Sequence, residues 1–317
     1  MEKRALGKTG LEIAPLVFGG NVFGWTIDEK TSFEILDAFV DQGFDAIDTA
    51  DCYSAWAPGN AGGESETIIG AWLKARPGMR DRVKVFTKVG SVTGGPHEGG
   101  LTEGYILGAV EKSLARLGVE AIDLYFAHWP DPLGTSYAET LGAFDKLRTA
   151  GKVKAIGVSN VDATQLAASF EAAEENGLPG YQVLQPEYNL YARDAFEGPL
   201  AELCVAKGMG VITYFSLASG FLSGKYRSTA DLGKSARGGG IEKYLTPRGD
   251  RVLKALDQVA EAHGAAPAEV ALAWLMARPG VTAPIASATK AAHVESFGRA
   301  AALRLSEAEM AALTAAG

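Results

Sequence analysis

Residues 103–129, EGYILGAVEKSLARLGVEAIDLYFAHW, hold side by side the two patterns that decide the fold. In Tyr105–Leu117, apolar Ile106, Val110, Leu114 and Leu117 recur at spacings of four, four and three, which lays them on one helical face. After a short break, Ile122–Ala127 forms a mostly apolar run that ends in His128-Trp129, as a buried parallel strand does.

The same unit repeats outward in both directions. Strands are expected at Leu16–Phe18, Ala46–Asp48, Val83–Lys88, Ile122–Ala127, Val153–Val158, Val183–Gln185, Val211–Tyr214 and Thr282–Ile285. Helices are expected between them, among them Thr31–Gln42, Glu66–Lys74, Glu103–Leu117, Glu139–Ala150 and Ala163–Glu175. Eight such units in 317 residues allow about 40 residues each. Regular alternation implies an α/β protein with a parallel sheet, and eight repeats suggest closure into a (β/α)8 TIM barrel. An open doubly wound sheet is the competing topology. No linker divides the chain, so residues 1–317 are expected to form one domain.

Before the first strand, Ala5-Leu6 and Leu11–Ile13 flank Gly7–Gly10, which reads as a β-hairpin able to cap the barrel bottom. The least regular segment is Ser219–Asp250, with Lys225, Arg227, Lys234, Arg237, Lys243, Arg248 and the triplet Gly238–Gly240. A long loop after the seventh strand lies near the usual barrel phosphate site; a solvated flexible loop is the plain alternative.

Composition narrows the function classes. With 30 basic and 38 acidic residues the net charge is −8, which lacks the basic excess of a nucleic-acid binder. No apolar run approaches the roughly 18 residues of a membrane span, and MEKRALGKTG lacks a signal peptide's apolar core. A soluble cytoplasmic protein is expected. Cys52 and Cys204 are too few for a disulfide framework and read as small apolar residues.

Several motifs are missing. No GxGxxG follows a strand. Gly220–Lys225 is one residue short of a phosphate loop and is followed by Tyr226 where Ser or Thr would hold magnesium. His97-Glu98 lacks the second histidine of a zinc protease, and His97, His263 and His293 carry no motif. No His/Cys cluster has metal-ligand spacing, so no metal is expected.

Polar residues instead collect at the carboxyl ends of the expected strands, where barrel enzymes keep their chemistry. These are Asp48 with Tyr53 five positions on, Phe86-Thr87-Lys88, His128-Trp129, Gly157–Asn160, Gln185 and Tyr214. Singly, a lysine or aspartate there reads as a solvated or helix-capping group. Together, Asp48, Tyr53, Lys88 and His128 assemble an acid, a phenol, an ammonium and an imidazole. A neighbouring positive charge favours a phenolate, so Lys88, held by Asp48, would tune Tyr53 toward neutral pH as a proton donor.

FDAIDTADCY at residues 44–53, Phe86-Thr87-Lys88, His128-Trp129-Pro130 and Gly157–Asn160 resemble the aldo-keto reductase superfamily, in order and over nearly the whole chain. The resemblance implies a (β/α)8 barrel that binds a nicotinamide cofactor without a Rossmann domain. It implies that Tyr53 protonates a carbonyl oxygen as hydride arrives, that Lys88 and Asp48 lower its pKa, and that His128 orients the carbonyl. Donors are then placed where negative charge develops.

By the same resemblance, Asp48, Ser159, Asn160 and Gln185 lie at the nicotinamide, with the last three on its carboxamide. Tyr214 stacks on the ring, and Gly20 and Asn21 lie beside the ribose. Phe215, Ser216, Leu217, Gly220 and Lys225 belong to the segment clasping the pyrophosphate, although many relatives have Ser-Pro where Phe215-Ser216 stands. Ser287, Thr289, Lys290 and His293 fall at the adenosine end, and a cation at Lys290 favours NADPH over NADH, NADH remaining possible. Ser296 and Phe297 replace a common Glu-Asn pair that touches adenine. Trp25, Tyr53, Trp56, His128 and Trp129 would line the substrate pocket, with loop residues 55–63 and 219–250.

The resemblance thus implies an NADPH-dependent oxidoreductase that reduces aldehydes, ketones or sugar-derived carbonyls to alcohols. The alternative is a slow-turnover NADP(H)-binding regulatory or redox-sensing subunit acting through a partner. Neither oligomeric state nor natural substrate is legible.

Overall fold

The computed structural model describes residues 1–91 and 100–317, so His97 and Glu98 lie outside the described residues. A two-stranded hairpin, β1 (Arg4–Ala5) and β2 (Glu12–Ile13), precedes eight barrel strands. These are β3 (Val17–Gly19), β4 (Ala46–Asp48), β5 (Lys84–Val89), β6 (Ile122–Ala127), β7 (Val153–Ser159), β8 (Val183–Gln185), β9 (Gly210–Thr213) and β10 (Ala283–Ala286). They pair in parallel in chain order, and β10 closes on β3. The (β/α)8 reading therefore holds over the open-sheet alternative.

The helices are α1 (Glu29–Asp41), α2 (Glu64–Ala75), a four-residue α3 (Met79–Arg82), α4 (Glu103–Leu117), α5 (Tyr137–Thr149), α6 (Ala163–Glu175) and α7 (Pro199–Lys207). They continue with α8 (Pro247–His263), α9 (Pro267–Ala277), α10 (Ala291–Ala302) and α11 (Glu307–Ala316). Among the described residues, no helix is long and apolar enough to cross a membrane. The expected boundaries shift where caps decide them. α1 begins at Glu29 rather than Thr31 because the Asp28 carboxylate accepts from the Thr31 N–H at 2.9 Å. α6 starts as expected behind a capping box of Asp162 and Gln165.

Two apolar layers hold the barrel. One lies between strands and helices and includes Phe39, Trp72, Ile106, Leu114, Tyr125 and Phe144. The other fills the barrel itself with Val17, Ala46, Phe86, Leu124, Phe126, Ala155, Val183, Ile212 and Ala283. Phe126 fits there because β7 offers Gly157, where an added Cβ would lie 2.4 Å from its ring.

Leu6 and Ile13 of the hairpin join the inner layer, fully buried, and so plug the bottom as expected. Gly7 makes the hairpin's approach possible. Its φ is +55°, and a Cβ would meet the Gly210 backbone nitrogen at 2.2 Å. Asp45 anchors the same end, accepting from the Ala14 N–H at 2.8 Å and pairing with Lys3 and Lys84.

Residues 219–250 are not a solvated loop. They fold into short 3-10 turns, and α8 starts within them at Pro247. Phe221, Tyr226, Ile241 and Tyr244 are buried, with Phe221 stacked on Tyr244 at 5.2 Å.

Candidate active site

Strand register brings the polar strand ends to one mouth. Gly19 pairs with Asp48, Asp48 with Phe86, Lys88 with Phe126, and Ser159 with Gln185. Lys88 is fully buried and spends its three protons within this group. Its Nζ donates to Asp48 Oδ2 at 2.6 Å, to the Thr49 carbonyl at 2.8 Å and to Tyr53 Oη at 2.8 Å. The other Asp48 oxygen accepts from Gln185 Nε2 at 2.9 Å. The His128 ring lies 6.0 Å from that of Tyr53, across the same cavity.

The titration of Tyr53 departs from the expectation. Burial holds the phenol well above its ordinary pKa, reinforced by the negative charge of Asp48, so Tyr53 keeps its proton. The expected pull toward neutral pH fails because Asp48 lies 2.6 Å from the Lys88 ammonium and offsets it, leaving desolvation to decide. Burial likewise raises the Asp48 carboxyl, against the pull of Lys88.

A second network starts at Asn160, whose φ of +61° is one of five positive values among the described non-glycine residues. Asparagine tolerates this region, and its side chain is fixed on both ends. Nδ2 donates to the His128 carbonyl at 2.8 Å and to Ser159 Oγ at 3.1 Å, while Oδ1 accepts from Tyr214 Oη at 2.6 Å. Ser159 Oγ donates to the Gln185 carbonyl at 2.7 Å. One strand end therefore determines the next.

These residues face a cavity of about 840 Å³. It is lined by Asn21, Trp25, Asp48, Tyr53, Trp56, His128, Trp129, Ser159, Asn160, Gln185 and Tyr214. Phe215, Ser216, Leu217, Gly220, Lys225, Ser287, Thr289 and His293 continue the lining. Ser287 Oγ bonds Asn21 Oδ1 at 2.8 Å, which ties the β3 and β10 ends together. Burial, with Lys290 and Lys225 nearby, lowers the His293 pKa, and the Thr289 N–H meets its Nδ1 at 3.3 Å.

Three expected positions lie off this wall. Lys88 is fully buried behind the wall and bonds Asp48 and Tyr53, which line it. Gly19 rather than Gly20 lines the cavity, because the Gly20 carbonyl turns away to accept from Ser65 Oγ at 2.8 Å. Lys290 is an exposed N-cap residue of α10 beside Thr289.

Sequence reasoning missed others. Cys52 was read as packing only, yet it lines the cavity with Sγ 3.8 Å from His128 Nδ1. Asp51, Cys52 and His128 bring their carboxylate, thiol and imidazole atoms within 4.8 Å of one another. Burial pushes the Asp51 carboxyl up to about 8 and the Cys52 thiol up to about 12, so both favour their neutral forms. Glu187 and Arg237 also line the cavity. Glu187 stands two residues beyond Gln185, a position the strand-end argument could have flagged. Phe297 and Leu272 give the cavity an apolar wall near His293, while Ser296 is held by Glu269 at 2.9 Å.

A cavity of this size with a flat Tyr214 ring, the Asn160 and Gln185 amides and a Lys225 without an ion-pair partner among the described residues has the donor set to hold a nicotinamide dinucleotide. Comparison with known proteins agrees. The model of the Aldo/keto reductase family matches residues 15–317. An uncharacterized oxidoreductase, YrpG, of Bacillus subtilis is 35% identical over 291 residues, covering 90% of this chain and 86% of its own. A probable voltage-gated potassium channel subunit beta of Arabidopsis thaliana is 32% identical over 301 residues, covering 93% and 89%. The 6-dehydroglucose reductase of Novosphingobium aromaticivorans is 31% identical over 297 residues, covering 92% and 87%.

Proposed function

The chain belongs to the aldo/keto reductase family, and from that premise we propose that it is an NADPH-dependent reductase of aldehydes, ketones or sugar-derived carbonyls, working as one domain. The observation that carries the reading is the Lys88 ammonium joining Asp48 to the Tyr53 hydroxyl, which faces the cavity opposite His128.

A bound nicotinamide supplies the hydride. Asn160, Ser159 and Gln185 offer donors and acceptors to a carboxamide, and the Tyr214 ring gives a flat surface to stack on. Lys225 and the Ser216–Gly220 turn would meet the pyrophosphate. Thr289 and Lys290 would meet a ribose 2′-phosphate, which supports NADPH over NADH.

Tyr53 and His128 then hold the carbonyl oxygen between them. As negative charge grows on that oxygen, Tyr53 gives up its proton. An alkoxide is a stronger base than a phenolate, so the transfer runs downhill even from a phenol with a raised pKa. Lys88 stabilises the phenolate left behind, and Asp48 keeps Lys88 charged and aimed. Trp25, Trp56 and Trp129 exclude water from the reacting end.

Tyr53→Phe tests the acid role. NADPH affinity by fluorescence titration is expected within about twofold of the parent, and carbonyl-dependent NADPH oxidation to fall by about 10²–10⁴. Retained turnover would remove Tyr53 from the role. The family also includes relatives named as channel subunits, which favours a second reading, a cofactor-binding subunit of slow turnover. Tight NADPH binding with no carbonyl-dependent oxidation across aldehydes, ketones and sugars would select it.

A further inference from the structure

Four of the six cations of residues 219–250 divide into two sets. On the outer side, Arg227 pairs with Asp257 and Lys234 with Asp231, each at 2.7 Å. Lys225 and Arg237 line the cavity instead, and among the described residues neither has a carboxylate within ion-pair distance. Lys225 lies over the Tyr226 ring beside Gly220.

Arg237 lies elsewhere, its guanidinium carbon 5.3 Å from the centre of the Trp25 ring. Trp25 meets Trp56 edge-on at 5.5 Å, and Trp56 meets Tyr53 at 6.0 Å. Three ring contacts thus lead from the guanidinium to the phenol. Nη2 of Arg237 is buried and, among the described residues, has no hydrogen-bond partner. Glu187 also lines the cavity, but among the described residues no ion pair joins it to Arg237.

The position of Arg237 is fixed by its neighbours. Its N–H donates to Ser235 Oγ at 3.3 Å, and that hydroxyl is bonded to Tyr226 Oη at 2.6 Å. Gly238 follows because the chain passes against Leu232, where an added Cβ would lie 1.5 Å from the carbonyl oxygen. A guanidinium withdrawn from water without a counter-charge is costly unless a ligand supplies the anion.

We infer that Arg237 recognises a carboxylate on the substrate, so that this site prefers oxo acids over neutral carbonyls. The carbonyl sits at Tyr53, the carboxylate meets the guanidinium fork, and the spacer lies along Trp25 and Trp56. This rests on the carbonyl-reductase reading and names its substrate class.

The test compares para-carboxybenzaldehyde with its methyl ester in the NADPH-loaded protein, as parent, Arg237→Gln and Arg237→Lys. The ratio of kcat/KM for acid over ester is expected to fall about 10- to 100-fold in Arg237→Gln, the worth of a charge-assisted pair, and less in Arg237→Lys. An unchanged ratio overturns the inference. So does a loss of NADPH affinity that matches the loss on both substrates, which would assign Arg237 to the dinucleotide.

Calorimetric titration of para-(hydroxymethyl)benzoate into the NADP⁺-loaded protein gives a readout that needs no turnover. Binding that depends on Arg237, in a protein that reduces no carbonyl, would uphold the anion site and refute the reductase reading. Binding indifferent to Arg237 refutes the anion site alone.

Discussion

Lys88→Met isolates the charge balance behind Tyr53. The change removes three hydrogen bonds, to Asp48, the Thr49 carbonyl and Tyr53, and fills most of the stem's volume. Asp48, only 2% exposed, then keeps the Gln185 Nε2 donor at 2.9 Å but loses its cation. Stranding one member of a buried ion pair costs about 3–5 kcal/mol. Asp48 can escape part of that cost by taking a proton, and its pKa is already raised by burial with Lys88 in place. Between the unfolded value of about 4 and the raised folded value, the native state binds a proton that the unfolded state lacks. Stability therefore falls as pH rises through that window, by about 1.4 kcal/mol per unit. In urea unfolding, Lys88→Met should be mild near pH ~5 and approach the full cost of about 3–5 kcal/mol near pH ~8. Lys88→Met/Asp48→Leu should recover most of the loss at the higher pH without recovering carbonyl reduction. A cost independent of pH, or a double variant no more stable than the single, would refute the stranded-carboxylate argument. Turnover of Lys88→Met within about tenfold of the parent would refute the dependence of Tyr53 on Lys88.

Two further expectations concern cofactor and core. Lys290→Ala should weaken NADPH about fivefold, as an exposed phosphate contact would, and spare NADH, whereas Lys225→Ala should weaken both alike; equal weakening by Lys290→Ala removes its 2′-phosphate role. Asp51, with its carboxyl pushed up to about 8 by burial and by Glu66, binds a proton in the folded state that the unfolded chain releases near pH 4, so it erodes stability as pH rises from about 4 to 8. Asp51→Asn should therefore gain stability on the parent across that range, on the order of a few kcal/mol by pH 8, as read by urea unfolding at both ends; parallel curves would show that the burial of Asp51 carries no such cost.

The barrel was legible because its signals are local. The four-four-three spacing in α4, the strand runs and the hairpin before β3 each lie within a short window, and closure follows from counting units. The residues at the strand ends were legible for the same reason, since strand polarity alone sends Asp48, Lys88, His128, Ser159 and Gln185 to one mouth. What depends on distance through space was not. Cys52 and His128 are far apart in sequence, so spacing could not pair thiol with imidazole. Arg237 was visible only as one cation among several, because whether a loop arginine meets an aspartate or a tryptophan is decided by tertiary packing. Lys290 was read by position, and exposure at the start of α10 sets it beside the cavity rather than on its wall.

The missed pKa of Tyr53 has a more specific cause, and it bears on how the site works. Sequence order supplies Lys88 and Asp48 as separate charges, and a lone ammonium would lower a phenol. At 2.6 Å the two form one nearly neutral unit, so the field at the phenol is weak and desolvation prevails. A proton donor for carbonyl reduction gains from that arrangement, since a tyrosine already ionised at neutral pH has no proton to give. The pair becomes effective when charge moves. In the proposed reaction, loss of the Tyr53 proton would set the ammonium, 2.8 Å from its oxygen, against a full negative charge in a site where little water screens the attraction. The same geometry that leaves the resting phenol protonated would therefore favour the phenolate at the proposed proton transfer, which is differential stabilisation rather than a shifted ground state.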